Sequence, residues 1–194
     1  MKQQRKNANI QKLVMLAVLT AIVIILQLLG SFSRFGPFSI TLVLVPIVIG
    51  AAILGPLSGM WLGFVFGLVV LLSGDAGAFL AVDVFGTVLT VLVKGSLAGL
   101  LTGLAYKAAE KINIYVATAI SAVVCPVVNT GIFLLGCKLF FMETITEWAG
   151  GSDAVASYII FGLVGANFLF EIAANAILAP AVVRLLQVGK KTLK

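Results

Sequence analysis

Long apolar runs, separated by short polar breaks, occupy almost the whole chain. They predict a bundle of six transmembrane helices, at residues 12–29, 40–54, 56–73, 83–106, 113–140 and 157–187. The runs lack a strict alternation of apolar and polar residues, which favours helices over the strands of a membrane barrel. The pattern therefore predicts an all-α integral membrane protein in which residues 1–194 form a single domain.

The composition supports this interpretation and argues against several kinds of protein. Of the residues, 61% are hydrophobic and only 10% are charged, whereas charged residues make up about 25% of soluble proteins. The chain has no histidine, and its two cysteines fall in one predicted helix. We therefore expect no metal site, no other cofactor and no catalytic triad, and we do not expect an enzyme. In a membrane protein, the net charge of +6 indicates how the chain is oriented in the bilayer rather than binding to nucleic acid. We therefore expect no nucleic-acid partner.

The positions of lysine and arginine predict how the spans are oriented. If the chain crosses the membrane six times, ten basic residues fall on one side: Lys2, Arg5, Lys6, Lys12, Lys107, Lys111, Arg184, Lys190, Lys191 and Lys194. The other side carries Arg34 and most of the acidic residues. Because lysine and arginine accumulate in cytoplasmic segments, we expect both termini to be cytoplasmic.

Glycine recurs every four residues along spans three and four. The two series are Gly55, Gly59, Gly63 and Gly67, and Gly95, Gly99 and Gly103. Small residues at this spacing let two helices approach closely in a membrane. A sliding surface is the functional interpretation of these faces, but we favour static packing.

Polar side chains inside three spans carry the main functional signal. On span four, steps of four, three and four place one set on a single helical face: Asp83, Thr87, Thr90 and Lys94. Span six carries a second such set: Asn167, Glu171 and Asn175. Asn129 and Thr130 lie near the middle of span five. At a rise of about 1.5 Å per residue, the three sets reach overlapping depths.

Lys94 and Glu171 are the two ionisable residues of these sets that lie deepest. A charge at bilayer depth costs about 2.5 kcal/mol or more, and such a residue normally faces a protein interior or a watery cavity. The two can neutralise each other, with the asparagines joining helices, or they can line a pocket for a polar solute that enters from outside. We favour the pocket, because the polar residues outnumber what one ion pair needs.

The segment Gly30–Ser39 reads GSFSRFGPFS and joins spans one and two on the outer side. It holds three phenylalanines and Arg34 between glycines and a proline. Two interpretations stay open for it: a loop with phenylalanine at the headgroup level, or an apolar lid over the pocket.

Three stretches of the chain carry a resemblance to a known family. Span one contains AVLTA, with Ala17 and Ala21 four residues apart. Spans two and three read SITLVLVPIVIGAAILGPLSGMWLGFVFGLVVLL, and span four contains VLVKGSLAGLLTGLAYK. These stretches resemble the AxxxA motif and the second, third and fourth spans of the substrate-binding (S) component of an energy-coupling factor transporter. The chain departs from that family at Val93 and Lys94, where relatives often carry a Pro-Arg pair.

This resemblance, which covers nearly the whole chain, implies a multi-pass protein of a bacterial or archaeal cell membrane. It would bind a vitamin-like small molecule in the outer half of the bundle and then topple after docking on a transmembrane T component, with two cytoplasmic ATPases supplying the energy. The residues carried over as ligand contacts are Lys94, Asn129, Asn167 and Glu171, with Thr90 and Asn175 on the same faces. Arg34 would gate the pocket, and Ala17 and Ala21 would dock. Pantothenate-like ligands rank first, and riboflavin and folate follow.

Three other functions remain as alternatives at this stage. A stand-alone channel or secondary transporter could use Lys94 and Glu171 for ion coupling. A membrane enzyme acting on lipid-linked substrates would need clustered acids or histidines, which the chain lacks. A structural membrane protein would tolerate the loss of both charges.

Overall fold

The computed structural model describes the backbone of residues 2–32, 34–35, 38–39 and 42–192, and the side chains of 9–31, 42–165 and 167–188. The α-helices are α1 Lys2–Phe32, α2 Leu44–Leu54, α3 Pro56–Leu72, α4 Gly77–Leu80, α5 Val84–Ala109, α6 Ile114–Phe140, α7 Met142–Ala149, α8 Val155–Ser157 and α9 Gly165–Thr192. A 3-10 turn, Ser152–Ala154, precedes α8, and a π-helix, Tyr158–Val164, joins α8 to α9. Two short strands, β1 Arg34–Phe35 and β2 Phe38–Ser39, pair antiparallel.

The all-α prediction is confirmed, because these two-residue strands are the sole non-helical elements of the described chain. Within the described residues, four segments are long and apolar enough to cross a membrane: Asn9–Ser31, Val84–Ala109, Ile114–Phe140 and Asn167–Val188. Predicted spans two and three coincide with α2 and α3, which are apolar but only 11 and 17 residues long. The count of six spans therefore stays a prediction.

The sixth predicted span, 157–187, is not one regular helix. Its first turns, Tyr158–Val164, are a π-helix, and the regular helix α9 begins only at Gly165. A π-helix accommodates extra residues per turn, so it changes the face on which later side chains emerge. The positions of Asn167 and Glu171 are set by this element as well as by the spacing within α9.

Helices α2 and α3 join without a loop, as the Gly55-Pro56 pair predicts. Gly55 has a φ of +101°, which is a conformation open to glycine but rarely to other residues. Pro56 is the first residue of α3, where its missing N–H costs no helical hydrogen bond and its fixed φ suits the helix. The turn folds α2 back against α3 and against α5.

The glycine faces of α3 and α5 pack against each other in antiparallel register. Gly59 faces Gly99, and Gly63 faces Gly95, so closely that an added Cβ on any of the four would overlap a backbone oxygen of the other helix. The close helix approach predicted from glycine spacing is thus observed. It brings Phe66 of α3 beside the polar face of α5.

Two groups of buried apolar side chains hold the bundle together. The larger involves α1, α2, α3, α5, α6 and α9, with Val23, Ile47 and Leu62 fully buried in it. The smaller lies at the C-terminal end of α6, where Cys137, Phe141 and Ile145 pack with residues of the π-helix. Cys125 and Cys137 are free thiols in the continuous helix α6.

Alanine at Gly63 tests the backbone contact between α3 and α5. We expect Gly63→Ala to lower the free energy of unfolding by about 1–3 kcal/mol, because the new Cβ meets the Gly95 carbonyl and forces the helices apart. The measurement is thermal unfolding in detergent. Gly131→Ala is the matched control, since a Cβ at Gly131 has no atom within 4 Å; an equal loss in both variants would contradict the contact.

Candidate functional site

A cavity of about 330 Å³ lies in one half of the bundle. Its wall is formed by the C-terminal halves of α1, α3 and α6, the N-terminal half of α5, and the start of α9 with the π-helix before it. Because successive helices run in opposite directions, these halves meet at the end of the bundle away from both chain termini. The cavity therefore lies opposite the end where the basic residues accumulate.

Most of the polar residues singled out by helical spacing lie in this wall. They are Thr87, Thr90, Lys94, Asn129, Thr130, Asn167 and Glu171. Asp83 instead occupies the N-cap position of α5. Asn175 is buried one turn beyond Glu171, is not part of the wall, and donates a 2.8 Å hydrogen bond to the Glu171 carbonyl. The side chain of Arg34 lies outside the part of the chain that the structure describes.

Among the described residues that line the cavity, Lys94 is the one cation. Its Nζ lies 5.6 Å from the ring centroid of Phe66 and 5.2 Å from that of Phe133, so it is held between two aromatic faces. Among the carboxylates, Glu171 attracts the ammonium most, and Asp75 adds to this attraction. The ammonium thus has two aromatic rings as near neighbours, and carboxylates from two parts of the chain attract it.

Glu171 lines the cavity from α9, and Asn129 lines it from α6. The carboxylate oxygen Oε2 of Glu171 and the amide oxygen Oδ1 of Asn129 are both buried without a hydrogen-bond partner. Lys94 therefore does not satisfy Glu171 completely. The two charges attract each other and line the same cavity.

A second polar group was not predicted from the sequence. The Nε2 of Gln27 donates to Asp75 Oδ2 at 2.6 Å, and the Ser31 hydroxyl lies 2.6 Å from the same oxygen. Gln27 and Asp75 both line the cavity, from α1 and from the loop after α3. The one available signal was the polar Gln27 in the apolar first span; Asp75, in the loop after α3, gave no periodic pattern.

An aromatic cluster forms part of the cavity wall. The ring of Phe79, in α4, contacts the rings of Phe133, Phe141 and Trp148 at centroid distances of 5.6, 5.0 and 5.5 Å, each edge to face. Phe79, Phe133 and Phe141 also line the cavity, so this cluster ties the α4 segment to α6 and α7 beside it. A sequence pattern could not reveal the contact, because Phe79 lies between two predicted spans.

The arrangement suits a small polar ligand that carries hydrogen-bond donors. Five wall residues have a buried oxygen without a partner: Gln27, Thr90, Asn129, Asn167 and Glu171. Buried polar groups in proteins are nearly always hydrogen-bonded, so unpaired oxygens gathered in one cavity indicate a binding site. Within the described residues, no group of three or more metal-ligating side chains is present.

Comparison with known proteins agrees with the sequence resemblance. The family described as "ECF transporter, substrate-specific component" matches residues 11–183. One similar protein is the "Pantothenic acid transporter PanT" of Lactococcus lactis subsp. cremoris (strain MG1363). It is 28% identical over 195 residues, an alignment that covers 92% of this chain and 94% of the relative. No solved structure matches the chain significantly.

Removal of the Phe79 ring tests the aromatic cluster. We expect Phe79→Ala to destabilise the protein by about 2–4 kcal/mol and to shift the emission of Trp148 to longer wavelength, because the ring pairs are lost and water reaches the indole. Thermal unfolding and fluorescence in a Trp61→Phe background measure both effects. Phe161→Ala is the control, since Phe161 is 75% exposed; an unchanged Trp148 spectrum in Phe79→Ala would contradict the cluster.

Proposed function

The chain belongs to the substrate-specific components of ECF transporters, and we propose that it captures a vitamin-like carboxylate, pantothenate first, from outside the cell. The protein is accordingly a multi-pass protein of the cell membrane and a transport component rather than a member of an enzyme family. Ligand identity, topology and partners are the parts of this function that we propose.

The observation that carries the proposal is Lys94 in the wall of a cavity that also carries polar side chains. A lysine ammonium held between the rings of Phe66 and Phe133 complements a ligand carboxylate. The relative from Lactococcus lactis is named for pantothenic acid, which carries one carboxylate. The volume of about 330 Å³ is at the lower end of ligand pockets, which span about 300–1,000 Å³. A ligand of the size of pantothenate fits this volume.

Further wall residues are proposed as ligand contacts: Thr90, Asn129, Asn167 and Glu171. Each has an unpaired buried oxygen that a ligand donor could satisfy. Asn175 would support the site through its bond to the Glu171 backbone. Arg34 remains a proposed gate residue, on its sequence position in the outer segment alone.

The proposed topology has six spans with both termini in the cytoplasm. It is supported by the ten basic residues that this topology gathers on one side. In this orientation the cavity lies in the outer half of the membrane, where a ligand enters from outside. Helices α2 and α3 are short for a span, and the close α3–α5 contact would bury part of their polar backbone in protein.

Delivery of the ligand is proposed to need partners. Ala17 and Ala21 are exposed on α1, as a docking face requires. The chain would dock there on a T component and topple in the membrane, and two cytoplasmic ATPases would supply the energy. Uptake by the chain alone in liposomes without ATP would instead favour a channel or a secondary transporter.

Substitution of Lys94 tests the proposed ligand. We expect Lys94→Ala to weaken pantothenate binding by at least about 30-fold, because the ligand carboxylate would be left buried and unpaired. Isothermal titration calorimetry on the purified protein measures this. The control is Thr102→Ala, since Thr102 is buried outside the cavity and bonds its own helix at Ala98. Equal affinities in the two variants would remove Lys94 from the site, and binding of riboflavin or folate instead would change the ligand.

Bulky residues on α1 test the docking face. We expect the double variant Ala17→Trp, Ala21→Trp to lose association with the T component while it keeps pantothenate affinity, because close helix contact needs small residues. Pull-down of the T component measures association. Ala119→Trp, at an exposed alanine of α6, is the matched control; undiminished pull-down by the double variant would refute the docking face.

A further inference from the structure

One carboxamide in the cavity wall is held by a carboxylate. The Nε2 of Gln27 donates to Asp75 Oδ2 at 2.6 Å. If this amide were turned over, its oxygen would face a carboxylate oxygen, and two acceptors repel. Asp75 therefore fixes which end of the Gln27 amide points away from it.

The end of the Gln27 amide that points away from Asp75 is an acceptor, and Asn129 has a second such acceptor. Gln27 is 2% exposed and Asn129 is 5% exposed, and both line the cavity. Gln27 Oε1 and Asn129 Oδ1 are buried and have no hydrogen-bond partner. A buried acceptor without a partner is costly, so these two oxygens favour a ligand that brings N–H or O–H groups to them.

Ser31 also contacts the pair formed by Gln27 and Asp75. Ser31 Oγ lies 2.6 Å from Asp75 Oδ2 and 3.5 Å from Gln27 Nε2. Ser31 is one turn after Gln27 on α1, so the end of α1 and the loop after α3 form one unit. This unit lies outside α5, α6 and α9, which carry Lys94, Asn129 and Glu171.

We propose that Gln27 and Asn129 are specificity-determining residues that read hydrogen-bond donors of the ligand, and that Asp75 is the positioning residue that orients Gln27. The inference rests on the proposed function. Pantothenate has one carboxylate, which Lys94 takes, and one amide N–H and two hydroxyls, which are donors. Asp75 thus acts through the Gln27 amide, and the ligand selected is an anion rich in donors.

Donor-deleted ligands test the inference on the unmodified protein. Isothermal titration calorimetry compares pantothenate with three analogues: one in which an ester oxygen replaces the amide N–H, and two in which one hydroxyl is replaced by hydrogen. We expect at least one analogue to bind about 10-fold or more weakly, because an acceptor in the wall is left unpaired. Affinities within about twofold for all four ligands would overturn the inference without any variant.

Near-isosteric variants then assign the lost contact. In Gln27→Met or Asn129→Leu, we expect the penalty of the corresponding analogue to fall to about twofold or less, because the acceptor is gone. Thr102→Ala should keep the wild-type penalties. Penalties that are the same in the wild type and in both variants would overturn the assignment.

Asp75→Asn tests positioning, since it removes the charge but keeps the shape and lets the Gln27 amide turn over. The factor by which the analogue binds more weakly than pantothenate should fall. A merely structural role would instead weaken the binding of both ligands by the same factor. If the wild type binds no pantothenate at all, the proposed function fails and this inference fails with it. Pantothenate binding with flat penalties overturns only the inference.

Discussion

The charge of Lys94 is the constraint on which the rest of the cavity depends. An ammonium at membrane depth is costly unless protein groups replace its water. Here the rings of Phe66 and Phe133 enclose it, and carboxylates from α9 and from the loop after α3 attract it. Phe66 can reach it because the glycine faces let α3 and α5 approach at backbone contact. The packing of the bundle and the polarity of the site therefore share one cause.

The polar wall is not optimised for stability of the protein alone. Buried oxygens of five wall residues have no partner, although unpaired buried acceptors are destabilising. The apolar contacts of the larger core, with residues such as Ile47 and Leu62 fully buried, offset such a cost elsewhere. Unpaired acceptors in the same cavity wall as a cation are what the proposed ligand site would need.

The helices and part of the site could be predicted because they follow local rules. Steps of three and four residues put Thr90 and Lys94 on one face of α5, and the structure brings them together with Glu171. The same spacing also indicated Asn175, but its amide turns back to its own helix at Glu171. The pair Gln27 and Asp75 was missed, because 48 residues separate them and no period links a helix end to a loop.

By itself, the sequence determined the all-helical membrane class, the family and the residues that carry buried polarity. Apolar run length, scarcity of charge and helical period are properties of neighbouring residues, so they can be read along the chain. Only the tertiary structure decided which polar groups meet. It placed the Gln27 amide on Asp75, the Phe79 ring in the cavity wall, and a π-helix before α9. Those outcomes depend on the packing of distant segments, which no local pattern specifies.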